Sequence, residues 1–202
     1  MRVEISIVYG IIFSNYLIGS LPFGLIFSKT LRGIDPRSGG SGNIGATNVW
    51  RVVGKKEGLI TVLCDLLKGI PLLGVAQSLG LDDRVLYLVA LAAIIGHIFS
   101  IFLKFRGGKG VATSLGVLLI LSPKLVFVAF IFWAGSVYLS KISSVGAITA
   151  FGLLPFLAFL LRPERDFIIF VSTISALVLL RHGGNIQRLI HGNEKGFQTL
   201  RK

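Results

Sequence analysis

The chain has 202 residues, 53% of them hydrophobic and 15% charged, with a mean hydropathy of +0.80. That balance excludes an ordinary soluble domain and fits an integral membrane protein, read here as one domain over residues 1–202. The formal net charge of +12 raises nucleic acid as a partner, and Cys64, the lone cysteine, excludes an internal disulfide or a thiolate metal site.

Apolar runs of roughly 20 residues, the length a helix needs to cross about 30 Å of hydrocarbon, recur along the chain. The first, about 4–28, begins with Glu4 and has no small-residue cleavage pattern behind a short apolar core, so it reads as a retained helix. The polar stretch SGGSGNIGATNVWR, residues 38–51, follows. It has no apolar periodicity, which predicts neither a packed helix nor a strand. The second run, about 58–79, carries Asp65 and Lys68 and then Pro71, where a kink is expected. The third, about 84–103, holds His97 near its end. A fourth, 108–122, is short for a crossing and is closed by Pro123. Runs at 124–141, 143–161 and 166–181 complete an all-α bundle of seven transmembrane helices.

This topology puts fifteen Lys and Arg residues on one side, among them Lys29, Lys55, Arg181, Arg201 and Lys202. The other side has five, namely Arg2, Arg84, Lys124, Arg162 and Arg165, with Lys68 inside a helix. Positive-inside bias makes the richer side cytoplasmic, the N-terminus external and the C-terminus cytoplasmic. Topology therefore accounts for the charge, and a nucleic-acid partner is not expected. The three most polar, Gly-rich stretches, 38–51, 104–110 and 182–196, all fall on the cytoplasmic side, where one composite site is expected.

In KFRGGKGVAT, residues 104–113, Gly107, Gly108 and Gly110 allow amides to turn toward one point just before a helix start, whose free N–H groups and dipole favour an anion. Lys104, Arg106 and Lys109 bring full charges. The spacing is not that of a nucleotide P-loop, and a basic juxtamembrane turn on anionic lipid is the plainer alternative. In 38–51, Gly39, Gly40, Gly42 and Gly45 permit close backbone approach. Ser41, Asn43, Thr47 and Asn48 supply neutral hydrogen bonds, and Arg51 offers a fork for phosphate. A solvated linker is the alternative there, against which stand Ile44, Val49 and Trp50.

Asp65 and Lys68, three apart on a helix, can pair; a structural ion pair and a substrate contact both stay open for Lys68. No histidine has Asp five residues on, the His-x4-Asp spacing, so the familiar acyltransferase dyad is absent. His97 fits a core position or a polar cluster, His191 an exposed one. His182 is grouped with Asn185, Arg188 and Glu194. Asp35, Glu57 and Glu194 form no metal-ligand spacing, and neither metal nor cofactor is expected.

Together, SGNIGATNVWR, GHIFSIFLKFRGGKGVATSLG and RHGGNIQRLIHGNEKGF closely resemble the three cytoplasmic motifs of the bacterial acyl-phosphate:glycerol-3-phosphate acyltransferases, the PlsY family. The resemblance extends to DLLKG in the second run and implies a seven-helix, N-outside inner-membrane enzyme. It implies transfer of a fatty acyl group from acyl phosphate to the 1-position of sn-glycerol 3-phosphate, giving lysophosphatidic acid and phosphate. It makes the 107–110 loop with Lys109 a binder of glycerol phosphate, and matches Ser41, Asn43 and Arg51, and His182, Asn185 and Glu194, to positions important for activity. An acyl phosphate is a mixed anhydride, so charge neutralisation and alignment matter more than a protein base. A substrate phosphate oxygen is the expected proton acceptor, and the short fourth helix the expected slot for the acyl chain. An organophosphate transporter is the other reading of the same cradles, but no internal repeat is visible. A scaffold for anionic lipid would explain the charge and not the glycines.

Overall fold

A computed structural model describes residues 4–196, so Arg2, Arg201 and Lys202, used above for topology, lie outside the described residues. Eleven α-helices and two 3₁₀ turns make up the regular structure, and no strand occurs among the described residues. They gather into two compact units, one running to Ile120 and the other starting at Leu121.

In the first unit the expected 4–28 run is two helices, α1 (Ile5–Ser20) and α2 (Phe23–Arg32). Pro22 separates them, because it cannot donate the hydrogen bond a continuous helix requires. The short α3 (Ala46–Val52) precedes α4 (Lys55–Leu67) and α5 (Pro71–Ser78). The expected kink falls at Lys68–Ile70, just before Pro71. Helix α6 (Asp83–Ile98) is capped by Asp82, whose carboxylate accepts from the Val85 N–H at 3.1 Å. Helix α7 (Val111–Leu121) is indeed short, with 11 residues.

Helix α1 packs on α6 at a crossing that only small residues permit. A Cβ at Gly19 would strike the Ala93 carbonyl oxygen, and one at Gly96 the Tyr16 carbonyl oxygen. Polar groups line the same seam. Asn15 Nδ2 donates to the Val89 carbonyl at 2.7 Å, and Ser100 Oγ to that of Ser20 at 2.6 Å. Similarly, Gly116 of α7 lies against the Leu66 carbonyl of α4.

The second unit contains α8 (Pro123–Ser140), α9 (Ser143–Leu161), α10 (Arg165–Arg181) and α11 (Gly183–Ile190). Gly146 allows α9 to approach α8 at Trp133 and Val137, and Ser175 Oγ of α10 bonds the Phe151 carbonyl of α9 at 2.7 Å.

Among the described residues, five stretches are long and apolar enough to cross a membrane: Ile5–Arg32, Lys55–Ser78, Asp83–Leu103, Pro123–Ser140 and Ser143–Leu161. The pair α10–α11, bent by 55°, makes a sixth if taken as one span, and α7 is shorter than a crossing. Large apolar side chains such as Phe13, Leu63, Phe127, Leu139 and Leu180 are exposed, while Asn15, Asp65, Lys68 and His97 are buried. A surface of this kind suits hydrocarbon, with the polar groups turned to one another.

Candidate active site

The polar stretch 38–51 is not the irregular loop its composition predicts, because residues 46–52 are helical. The reason is local chemistry that periodicity does not record. Asn43 Oδ1 accepts from the Gly45 N–H at 2.8 Å and turns the chain into α3. Asn48, 2% exposed, then ties the preceding loop to the helix. Its Nδ2 donates to the carbonyls of Pro36 at 2.7 Å, Asn43 at 2.8 Å and Gly39 at 3.3 Å, and its Oδ1 accepts from the Ser41 N–H at 2.8 Å. Gly40 has a left-handed φ of 62°, and a Cβ there would strike Asn48 Oδ1. The loop carrying Ser41 and Gly42 is therefore folded around the amide of Asn48, while the Ser41 side chain is exposed, Thr47 half-buried and Arg51 buried.

Asn48→Ala should accordingly lower stability by about 1–3 kcal/mol, the cost of orphaning buried backbone groups. Ser41→Ala, which leaves this network untouched, should not. Thermal unfolding in detergent reads both.

Upstream, Asp35 caps the 3₁₀ turn Pro36–Ser38 and receives Arg37 Nε at 2.9 Å and Nη2 at 2.7 Å, with Lys29 Nζ at 3.4 Å. The Arg37 guanidinium holds its carboxyl well below the usual carboxylate range.

In the 104–110 loop, Lys104 and Phe105 take left-handed φ values of 51° and 61°, a strained pair for residues with side chains. The chain turns there, and the N–H groups of Gly107 and Gly108 donate back to the Ile98 and His97 carbonyls, each at 3.0 Å. Those two amides close the loop onto α6 and are not aimed at an anion. The amides that a helix start leaves without an intrahelical acceptor are those opening α7, after Gly110, whose φ is 88°. Lys104 and Arg106 are exposed and Lys109 is half-buried.

Lys68 is an ion-pair residue: its Nζ lies 2.8 Å from Asp65 Oδ1, and it is 4% exposed. His97 Nδ1 faces the same oxygen at 3.6 Å, a carboxylate–histidine pairing between helices that a search for local spacing does not see.

In the second unit, the turn after α11 brings Glu194 back over that helix, helped by Gly192 at a φ of 69°. Glu194 Oε1 accepts from Asn185 Nδ2 at 2.6 Å and Ser144 Oγ at 2.8 Å, and Oε2 from Arg188 Nε at 2.6 Å. Ser144, at the start of α9, escaped the sequence reading. A serine pair opening an apolar run beside a basic end is the signal that marks it. His182, 2% exposed, places Nδ1 2.8 Å from the Val178 carbonyl. A carbonyl only accepts, so Nδ1 carries a proton.

Burial pushes the Glu194 carboxyl up, but the hydrogen bonds from Asn185, Ser144 and Arg188 outweigh it and hold the group below its ordinary value of 4.5. A lowered carboxyl stabilises the fold fully above its unfolded pKa and loses that effect as pH falls through the folded value. The melting temperature should thus decline on acidification below about pH 4.5. A Glu194→Gln variant should show a shallower decline, measured by scanning fluorimetry across pH.

An all-helical chain with several apolar spans, a buried ionic cluster and two glycine-hinged polar loops is an integral membrane protein. A profile of glycerol-3-phosphate acyltransferases matches residues 9–192. The glycerol-3-phosphate acyltransferase of Syntrophotalea carbinolica is 42% identical, covering 95% of this chain and 98% of that one. Its counterpart in Neisseria meningitidis is 46% identical over 89% and 92%. The crystal structure of PlsY (YgiH), an integral membrane glycerol 3-phosphate acyltransferase, in its glycerol 3-phosphate form superposes with a TM-score of 0.89 at 40% identity, covering 96% of each chain. Its lysophosphatidic acid form gives 0.86 at 39% identity, again over 96% of each chain. The chain belongs to the glycerol-3-phosphate acyltransferase family.

Proposed function

We propose that the protein transfers a fatty acyl group from acyl phosphate to the 1-hydroxyl of sn-glycerol 3-phosphate, the first step of phospholipid synthesis. The observation that carries this reading is the family match through residues 9–192, which includes the first two polar motifs and the third as far as Gly192. The acceptor hydroxyl oxygen attacks the acyl carbonyl carbon and forms the ester C–O bond. The anhydride C–O bond then breaks, and its electron pair leaves with the phosphate. The hydroxyl proton goes to a phosphate oxygen of the substrates, so lysophosphatidic acid and inorganic phosphate balance the reaction.

The loop at 107–110, Lys109 and the opening amides of α7 hold the phosphate of the acceptor, with Lys104 and Arg106 drawing anions toward it. In the 38–51 motif Arg51 and Thr47 bind phosphate, Ser41 and Asn43 align the reacting groups, and Asn48 with its glycines shapes the loop. His182, Asn185, Arg188 and Glu194 make up the third motif's part of the site. The apolar chain of the donor lies among helices beside the short α7.

The chain crosses a bacterial inner membrane seven times: α1 with α2, α4 with α5, then α6, α7 within the short run 108–122, α8, α9 and α10. The excess of Lys and Arg puts the N-terminus outside, the C-terminus inside and the polar motifs on the cytoplasmic side. Because the family match runs through both units, residues 1–202 act as one acyltransferase domain.

The test is phosphate release by detergent-purified protein given palmitoyl phosphate, with and without glycerol 3-phosphate. Acceptor-dependent release with formation of lysophosphatidic acid is expected. Saturable acceptor binding by folded protein with no product would move the assignment to a transporter.

A further inference from the structure

The proposed chemistry leaves unused the buried cluster Asp65, Lys68 and His97, which are 3%, 4% and 4% exposed. Ionic groups at membrane depth are costly and are kept where they serve a site or a structure. Asp65 and Lys68 are engaged with each other, so the use of the cluster is to be sought in what it holds.

On one side of the cluster, Lys68 Nζ pairs with Asp65 Oδ1 at 2.8 Å, donates to the Leu21 carbonyl at the α1–α2 break at 3.0 Å, and lies 5.8 Å over the Phe23 ring. Asp65 Oδ1 in turn faces His97 Nδ1 at 3.6 Å. On the other side is the glycine loop. Gly108 lies so close to the imidazole that a Cβ on it would strike His97 Nε2, and a Cβ on Gly107 would strike the His97 carbonyl oxygen. That same carbonyl accepts the Gly108 N–H at 3.0 Å. Thr113 Oγ1, in the first turn of α7, donates to the Asp65 carbonyl at 2.9 Å, so the helix that follows the loop is tied to the same cluster.

We infer that Asp65 and Lys68 fix the His97 imidazole as a rigid form against which the 107–110 loop is moulded. His97 is then a positioning residue for the acceptor-phosphate cradle, acting through Gly107 and Gly108 and touching no substrate. The inference rests on reading that loop as the binder of glycerol 3-phosphate. It also explains why two of the loop's glycines carry no amide for the anion: they are glycines so that the chain can lie flat on His97.

The experiment is a double-mutant cycle between His97→Ala and Gly108→Ala, reading KM for each substrate, kcat, and the calorimetric Kd for glycerol 3-phosphate. His97→Ala should raise the acceptor KM about tenfold or more, with the acyl phosphate KM and kcat within about threefold. Asp65→Asn should shift the same parameter in the same direction. Gly108→Ala should also raise the acceptor KM, and the double variant should show less than the product of the two effects, because the added methyl enters the space left by the ring. Effects that simply multiply, or a fall in melting temperature with the acceptor KM and Kd unchanged, would overturn the inference. Where His97→Ala does not fold, His97→Gln provides the same comparison. If the wild-type chain binds glycerol 3-phosphate without turnover, the assigned reaction fails, and the cycle read in Kd still decides the role of His97.

Discussion

Glu194→Ala protein is expected to be the least stable of all variants of the second unit. The carboxylate is 3% exposed and takes hydrogen bonds from three side chains, one of them the Arg188 guanidinium. Removing it orphans the donors of Ser144, Asn185 and Arg188 together. Because the Arg188 side chain is itself partly exposed, the cost is that of lost hydrogen bonds to a charged group, about 1.5–3 kcal/mol. For a chain of this size that is roughly 3–12 °C in melting temperature. Glu194→Gln keeps the shape but turns a donor toward either Arg188 or the Asn185–Ser144 pair, so it should fall between wild type and Ala. An unchanged melting temperature in Glu194→Ala, with turnover lost, would instead assign the carboxylate directly to the chemistry.

Lys109→Ala should have the largest effect on use of the acceptor. An ammonium placed on a phosphate contributes a charge-assisted hydrogen bond of about 1.5–3 kcal/mol, equivalent to an increase of roughly 10- to 150-fold in the KM for glycerol 3-phosphate. The acyl phosphate KM should change much less. Lys109→Arg should recover only part of the loss, because a broad fork replaces a point charge in a loop moulded by glycines. Equal increases for both substrates would place Lys109 on the charge shared by the two phosphates.

Much of the helical order is readable in the chain because apolar length is a strong signal. The runs at 124–141, 143–161 and 166–181 lie within a residue of α8, α9 and α10 at each end. The kink before Pro71 was legible as well. What escaped depends on side chains acting on distant backbone. Helix α3 has no apolar stripe, and it stands because Asn43 turns the chain into it and Asn48 gathers the loop. Helix α11 looks like a Gly-rich loop until Glu194 folds back over it. The Asp65–His97 pairing joins two helices, which residue spacing along one segment does not reveal. In the 107–110 loop the glycines are expected to turn amides toward an anion, whereas Gly107 and Gly108 lie against His97, whose atoms belong to the preceding helix.

The seam between α1 and α6 also constrains how the protein is made. Asn15 of α1 bonds a carbonyl 74 residues further along the chain. At a synthesis rate of 5–20 residues per second, roughly 4–15 s pass between the emergence of the two from the ribosome. For that interval the first helix has an amide side chain and a glycine-flattened face with no mate. The insertion machinery, or a transient neighbour in the bilayer, must shelter that face until the sixth helix is delivered.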